Sequence, residues 1–339
     1  MGEVVLRTEN LQKYYPVTEG VLKRVTGQVR AVDNVSLEVY KGETLGLVGE
    51  SGCGKTTLGK CLVRLYKPTG GRLMLRSENA GMLDCLMLSR AESFQARRRV
   101  QLVFQDPYAA LNPVKNILSA FDEPLKLHGM GNKAERLEIA SRMMEAVNLR
   151  PEYLYRYPQE FSGGQRQRIC IAKALAMNPE IIVCDEPVSA LDVSIQAQIL
   201  NLMRDLQEEF HLTYVFIAHD LSVVQYMSDR VAVMYLGRVV ELADAEALYE
   251  GCEHPYTQAL LSAVPIPVIG TRRERIVLKG DVPSPVDPPQ GCRFHPRCRH
   301  CMEICRMQEP LLLPLKSDPE HYVACHLSNP SQADTAAVQ

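Results

Sequence analysis

The chain has 339 residues, 46% of them hydrophobic and 23% charged, with a formal net charge of -2. That length and apolar fraction support one large core with an appendage, or two domains of ordinary size, and make disorder the wrong default. The near-neutral balance removes the basic field on which general nucleic-acid binding depends, so no nucleic acid is expected as a partner.

No apolar run approaches the roughly 20 residues a membrane-crossing helix needs. The N-terminal string MGEVVLRTEN is too charged for a secretory signal, and the chain is expected to stay in the cytosol. Eleven cysteines then read as reduced thiols or metal ligands. Six are scattered through the first 252 residues, whereas Cys292, Cys298, Cys301, Cys305 and Cys325 crowd together near the end. Two short basic runs, Arg97 with Arg98 and Arg99, and Arg272 with Arg273 and Arg275, read as solvated helix faces.

Taken in chain order, VSLEVY and TLGLVG are short β-rich runs on either side of a turn at Lys41 and Gly42. Gly49, Glu50, Ser51, Gly52, Cys53, Gly54, Lys55 and Thr56 follow, matching GxxxxGK[ST] between an apolar strand and a helix. Such a P-loop folds its amides into a nest around phosphates, and the helix that begins after Gly54 adds its positive end. Lys55 is placed to contact the β- and γ-phosphates, Thr56 to put its hydroxyl on Mg²⁺, and Cys53 to be structural. Leu137, Ala140, Met144 and Val147 recur at helical spacing and predict an amphipathic helix over 133–148. The runs EIIVC and TYVFIA are uniformly apolar and β-branched, as strands of a parallel sheet covered on both faces should be. The first ends in Asp185 and Glu186, the form of a Walker B element: Asp185 would hold Mg²⁺, and Glu186 would polarise the attacking water. From about Val264, closely spaced prolines predict an extended, turn-rich accessory segment.

Phe161, Ser162, Gly163, Gly164 and Gln165 resemble the LSGGQ signature of ATP-binding cassette (ABC) ATPases. The resemblance covers about 3–250. It implies an α/β fold: a P-loop NTPase (RecA-like) core with an antiparallel β subdomain and a helical subdomain over about 106–165, the cassette filling 1–263. It implies that Gln105 is the Q-loop glutamine sensing Mg²⁺ and water, and that Ser189 to Asp192 form the D-loop. His219 matches the switch histidine, Tyr15 the ring that stacks on adenine, and Thr57 joins the nucleotide-binding residues. In the family the signature caps the γ-phosphate held by a partner subunit, so two chains are needed for two sites.

Longer strings, among them VGESGCGKTTLG, VFQDPYAALNP, HPYTQALLSAVP and GDVPSPVDPPQGCRFHPRC, are similar to oligopeptide and dipeptide importer ATPases of the OppF or DppF type. That resemblance implies a paralogous second ATPase, two permease subunits, an extracytoplasmic peptide-binding protein and a peripheral place on the cytoplasmic face of the membrane. Nickel and other small-solute importers share these strings, and a soluble, non-transport ABC ATPase is the remaining alternative. Over 264–339, Cys292, Cys298, Cys305 and Cys325 resemble the cysteines with which some members hold a [4Fe-4S] cluster. Zinc, with Cys301 or nearby histidines, and a metal-free set of thiols stay open beside it.

Overall fold

In the computed structural model, which describes residues 2–19, 24–77, 81–263 and 275–329, the chain opens with two long antiparallel strands, β1 (Val4–Glu19) and β2 (Arg24–Tyr40). A tight turn leads to β3 (Thr44–Val48), the P-loop and α1 (Lys55–Leu62). Strands β4 (Gly70–Ser77) and β5 (Gly81–Asp84) return to β1, giving a small antiparallel sheet of order β2-β1-β4-β5. Next come α2 (Arg90–Arg99), β6 (Val100–Val103) and the helices α3 (Pro107–Ala110), α4 (Ile117–Leu127) and α5 (Lys133–Ala146). The second half alternates α6 (Gly163–Leu175), β7 (Ile181–Asp185), α7 (Val193–Phe210), β8 (Thr213–Ile217) and α8 (Leu221–Met227). It closes with the hairpin β9 (Arg230–Tyr235) and β10 (Arg238–Asp244), then α9 (Ala245–Gly251) and α10 (Pro255–Ser262). The C-terminal segment carries α11 (Glu303–Met307), β11 (Leu313–Pro314) and β12 (Tyr322–Val323).

The central sheet runs β11-β12-β10-β9-β3-β8-β7-β6, parallel from β9 to β6. The inner strands β3, β7 and β8 are buried throughout and largely apolar because successive residues enter different cores. Ile181, Val183, Val215 and Ile217 face the small sheet, while Ile182, Cys184, Tyr214 and Phe216 face the helices. The helix expected over 133–148 is α5, with Ala140, Met144 and Val147 buried.

One expectation changes. Arg98 and Arg99 are not a solvated face: Arg98 Nε donates to the Met177 carbonyl at 3.0 Å and Arg99 Nε pairs with Glu180 at 2.6 Å, docking α2 onto the chain after α6. The C-terminal segment is joined to the central sheet, where the Ala324 amide donates to the Val240 carbonyl at 2.8 Å and β12 adds to the β10 edge. The expected boundary at Val264, and Arg272 with Arg273, lie outside the described residues.

Candidate nucleotide site

The P-loop conformation is dictated by two glycines. Gly49 has φ +147° and Gly54 φ +108°; a Cβ would come within 2.2 Å of the Met234 carbonyl oxygen at the first and 2.0 Å of the Ala31 carbonyl oxygen at the second. Only a residue without a side chain fits such close backbone approaches. Ser51 and Gly52 are exposed at the crest, Cys53 is buried beneath it, and Lys55 opens α1. Lys55 Nζ donates to the carbonyls of Gly49 (2.6 Å) and Glu50 (3.1 Å), so its charge sits inside the loop.

The Thr56 hydroxyl donates to Asp185 Oδ1 at 2.9 Å, joining the two residues expected to share Mg²⁺. Asp185 is 3% exposed, and burial raises its carboxyl pKa against the Thr56 hydroxyl and the positive charge of Lys60. The sheet order then assembles the rest. Parallel β6, β7 and β8 are neighbours, and their C-terminal ends deliver Gln105, Glu186 and His219 to one edge, where ligands of open α/β sheets bind. Gln105 Nε2 donates to Glu186 Oε2 at 3.0 Å, and His219 Nδ1 lies 3.0 Å from the same oxygen. Glu186 has φ +48°, a conformation of the kind that costs about 1–3 kcal/mol and persists where its surroundings impose it. Its amide donates to the Ile217 carbonyl at 2.9 Å, and its own carbonyl accepts the Ser189 hydroxyl at 3.1 Å.

The adjacent tyrosines separate. Tyr15 lies against Tyr66, 6.2 Å between ring centroids, and beside Thr57 of the P-loop helix. Tyr14 turns the other way and donates to buried Asp33. Ser162 caps α6 by accepting the Gln165 amide at 3.3 Å, while the Gln165 side chain accepts the Ser162 amide at 3.0 Å. The capping box takes up the Gln165 amide, and the positive end of α6 lies at Gly163. Gly164 packs on α7, where a Cβ would meet Ile195 at 2.7 Å. Among the described residues no hydrogen bond joins 162–165 to the P-loop, and Asp192 is exposed at the start of α7.

Cys292, Cys298, Cys305 and Cys325 line one small cavity of about 10 Å³ with His295, His300 and His326, and Cys301 is not among its lining residues. Burial pushes the Cys292 thiol up to about 12 and raises Cys298 and Cys325 too. Among the described residues no three His, Cys, Asp or Glu side chains are placed to hold a metal ion.

Residues 32–189 match the ABC transporter family and 240–305 the oligopeptide/dipeptide transporter C-terminal region. The chain is 52% identical to the oligopeptide transport ATP-binding protein AppF of Bacillus subtilis (strain 168), over 96% of this chain and 98% of that one. The chain belongs to the oligopeptide-transport ABC ATP-binding proteins. At 47% identity over 98% of its length it also matches a probable peptide ABC transporter ATP-binding protein, y4tS, of Sinorhizobium fredii (92% of that chain). Among solved structures, this ABC ATPase is similar to the ATP-binding cassette MJ0796, a dimer bound to ADP and Pi. The TM-score is 0.60 at 30% identity, covering 71% of this chain and 98% of that chain. The cassette fold and an ATP-driven role follow from the family. No described helix is long and apolar enough to cross a membrane.

One contact of this ABC ATPase escaped sequence reasoning. Glu50 of the P-loop is bound by Arg297 and Tyr256, neither of which carries a motif of phosphate chemistry. The only local signal was the position of these two residues within HPYTQALL and FHPRC.

Proposed function

We propose that this chain binds Mg-ATP between its P-loop and the signature of a paralogous second ATPase, and hydrolyses it to drive import of di- or oligopeptides through two separate permease subunits fed by an extracytoplasmic binding protein. The observation that carries the reading is the convergence of Gln105 and His219 on one oxygen of Glu186, next to the Thr56–Asp185 pair. The amides of 49–54 and Lys55 would receive the phosphates, Tyr15 the adenine, and Thr56, Asp185 and Gln105 the Mg²⁺. When bound, the ion would supply positive charge against the phosphates. Glu186 takes a proton from the attacking water, and Gln105 and His219 hold its carboxylate in line. Ser162, Gly163, Gly164, Gln165 and Asp192 face the partner, consistent with a signature that makes no bond to its own P-loop. With its work done on permeases, the chain sits on the cytoplasmic face of the membrane.

For the cysteine pocket the reading is a [4Fe-4S] cluster. A cluster takes one thiolate on each of four irons, and zinc held by a Cys₄ or Cys₃His set of the same residues is the second reading. The number and type of donors fit; a cavity of about 10 Å³ holds one water at most, so the sulfurs must spread to admit a cluster.

The test is anaerobic purification with the neighbouring-gene subunits, ATPase assay of wild type and Glu186→Gln, and iron and zinc analysis of the same sample. Hydrolysis stimulated by peptide-loaded binding protein and reduced about 10²- to 10³-fold in the variant is expected. Basal hydrolysis indifferent to permease and peptide would point to a soluble ATPase, and zinc without iron would overturn the cluster.

A further inference from the structure

Glu50, the residue after the first P-loop glycine, is held at its side chain and at its backbone by chain that comes more than 200 residues later (|i−j| 247 and 206). Arg297 sets two parallel hydrogen bonds on its carboxylate, Nη1 to Oε2 at 2.7 Å and Nη2 to Oε1 at 3.1 Å. The Tyr256 hydroxyl accepts from the Glu50 amide at 2.8 Å. A bidentate guanidinium–carboxylate pair fixes angle as well as distance. With the Arg297 side chain 7% exposed and that of Glu50 26%, solvent screens this pair far less than a surface ion pair. The Glu50 carbonyl in turn accepts one of the bonds from the Lys55 ammonium. Where residue 50 sits thus decides where the phosphate-binding lysine finds a partner.

The other end of this linkage is the cysteine pocket. Arg297 closes the short helical turn His295–Arg297, and that turn is bracketed by Cys292 and Cys298, both lining the pocket. The Cys298 amide donates to the His295 carbonyl at 3.3 Å and the Cys292 amide to the Cys305 carbonyl at 2.8 Å, so the turn is built on the cysteine scaffold. Its Phe294 ring packs 5.3 Å from Tyr235 and 5.4 Å from Tyr256, and the Arg297 guanidinium lies 6.0 Å over Tyr235. An aromatic layer this closely packed leaves the turn little room to shift without moving either Arg297 or the Tyr256 hydroxyl.

We propose that Arg297 is a positioning residue for the P-loop and couples the cysteine-lined pocket to ATP affinity. The proposal rests on the reading of the P-loop as the ATP site. Its test is titration of the full-length chain with a fluorescent ATP analogue, with KM and kcat for ATP measured in the assembled importer and melting curves confirming the fold. Arg297→Ala and Glu50→Gln should each weaken binding about tenfold, and the double variant should be no weaker than either, because one pair of bonds is lost once. Arg297→Lys should recover part of the loss, since an ammonium makes a point contact in place of a fork. KM should rise while kcat at saturating ATP stays within about twofold, a split that reports lost binding rather than lost chemistry. Cys298→Ser should weaken binding in the wild-type background and add nothing to Arg297→Ala.

Wild-type affinity in Arg297→Ala, additive losses in the double variant, or an equal Cys298→Ser effect in both backgrounds would overturn the coupling. If Arg297→Ala does not fold, Arg297→Lys with Glu50→Gln carries the same cycle. Lys55→Ala separates the two readings: loss of binding there with none in Arg297→Ala defeats this proposal alone, and no loss in Lys55→Ala defeats the ATP site itself.

Discussion

Asp185 answers two opposed requirements. An ion site needs an ionised carboxylate, yet this one is 3% exposed, and burial first, then Glu186, raises its pKa while Thr56, Lys60 and Lys55 pull it back. A carboxyl whose folded pKa lies above its ordinary value costs stability when ionised, at pH above that pKa, and the cost fades as pH falls through it. Asparagine keeps an acceptor for the Thr56 hydroxyl and removes the charge. Asp185→Asn should therefore melt about 2 °C higher than wild type without nucleotide at pH 7, with a flatter pH dependence, and should lose Mg²⁺-dependent ATP binding. A lower melting temperature in scanning calorimetry would show that the charge is structural. Glu186 makes a different compromise at the next position, where a left-handed backbone turns its carboxylate toward Gln105 and His219.

Helix α10 shows how an element outside the motifs can serve the site. His254 precedes it, its Nδ1 accepting the Tyr256 amide at 3.1 Å, and Tyr256 is the residue that holds the Glu50 amide. An accepting nitrogen must be unprotonated, and burial lowers the His254 pKa to about 4 despite the pull of Glu241. With the folded value below the unfolded one, stability is complete above pH of about 6.5 and is lost as pH falls toward 4, by about 3 kcal/mol at most. His254→Asn keeps a capping acceptor that does not titrate, and urea melts at pH 7 and pH 5 should differ less in the variant than in wild type. Elements were legible where the pattern is local: β3, β7 and β8 from unbroken apolar runs, α5 from its stripe, the P-loop from its glycines. The two-residue strands β11 and β12 were not, because two residues carry no period, and their pairing with β10 is a tertiary choice. Gln105, Glu186 and His219 could be named singly by resemblance, but their meeting on one oxygen depends on strand order. Arg98 and Arg99 misled because a basic run looks solvated until its partners across the fold are known.

On the scale of the molecule, the C-terminal segment is fastened to the cassette at three buried or half-buried acids. Arg297 binds Glu50, His321 Nε2 lies 2.7 Å from Glu241, and Arg293 donates to Asp33 and to the Leu236 carbonyl. Asp33 is the node. It is 2% exposed, and although burial alone would raise its pKa, the hydroxyl of Tyr14 and the guanidinium of Arg293 hold it below the ordinary carboxylate range. Tyr14 comes from β1, Asp33 from β2 and Arg238, 3.6 Å away, from β10, so the node joins the small sheet, the central sheet and the C-terminal segment. Removing one partner of a buried ion pair costs more than the pair is worth, because the other charge stays behind without solvent. Arg293→Ala should thus lower unfolding free energy by about 3 kcal/mol, and adding Asp33→Asn should restore most of it, since no charge is then stranded. Urea unfolding of the two single variants and the double variant decides between this account and simple loss of packing. If packing were the cause, the double variant would be no more stable than Arg293→Ala. Recovery would show instead that the segment is selected as a partner by charge, Tyr14 and Arg238 alone being insufficient to offset the burial of Asp33.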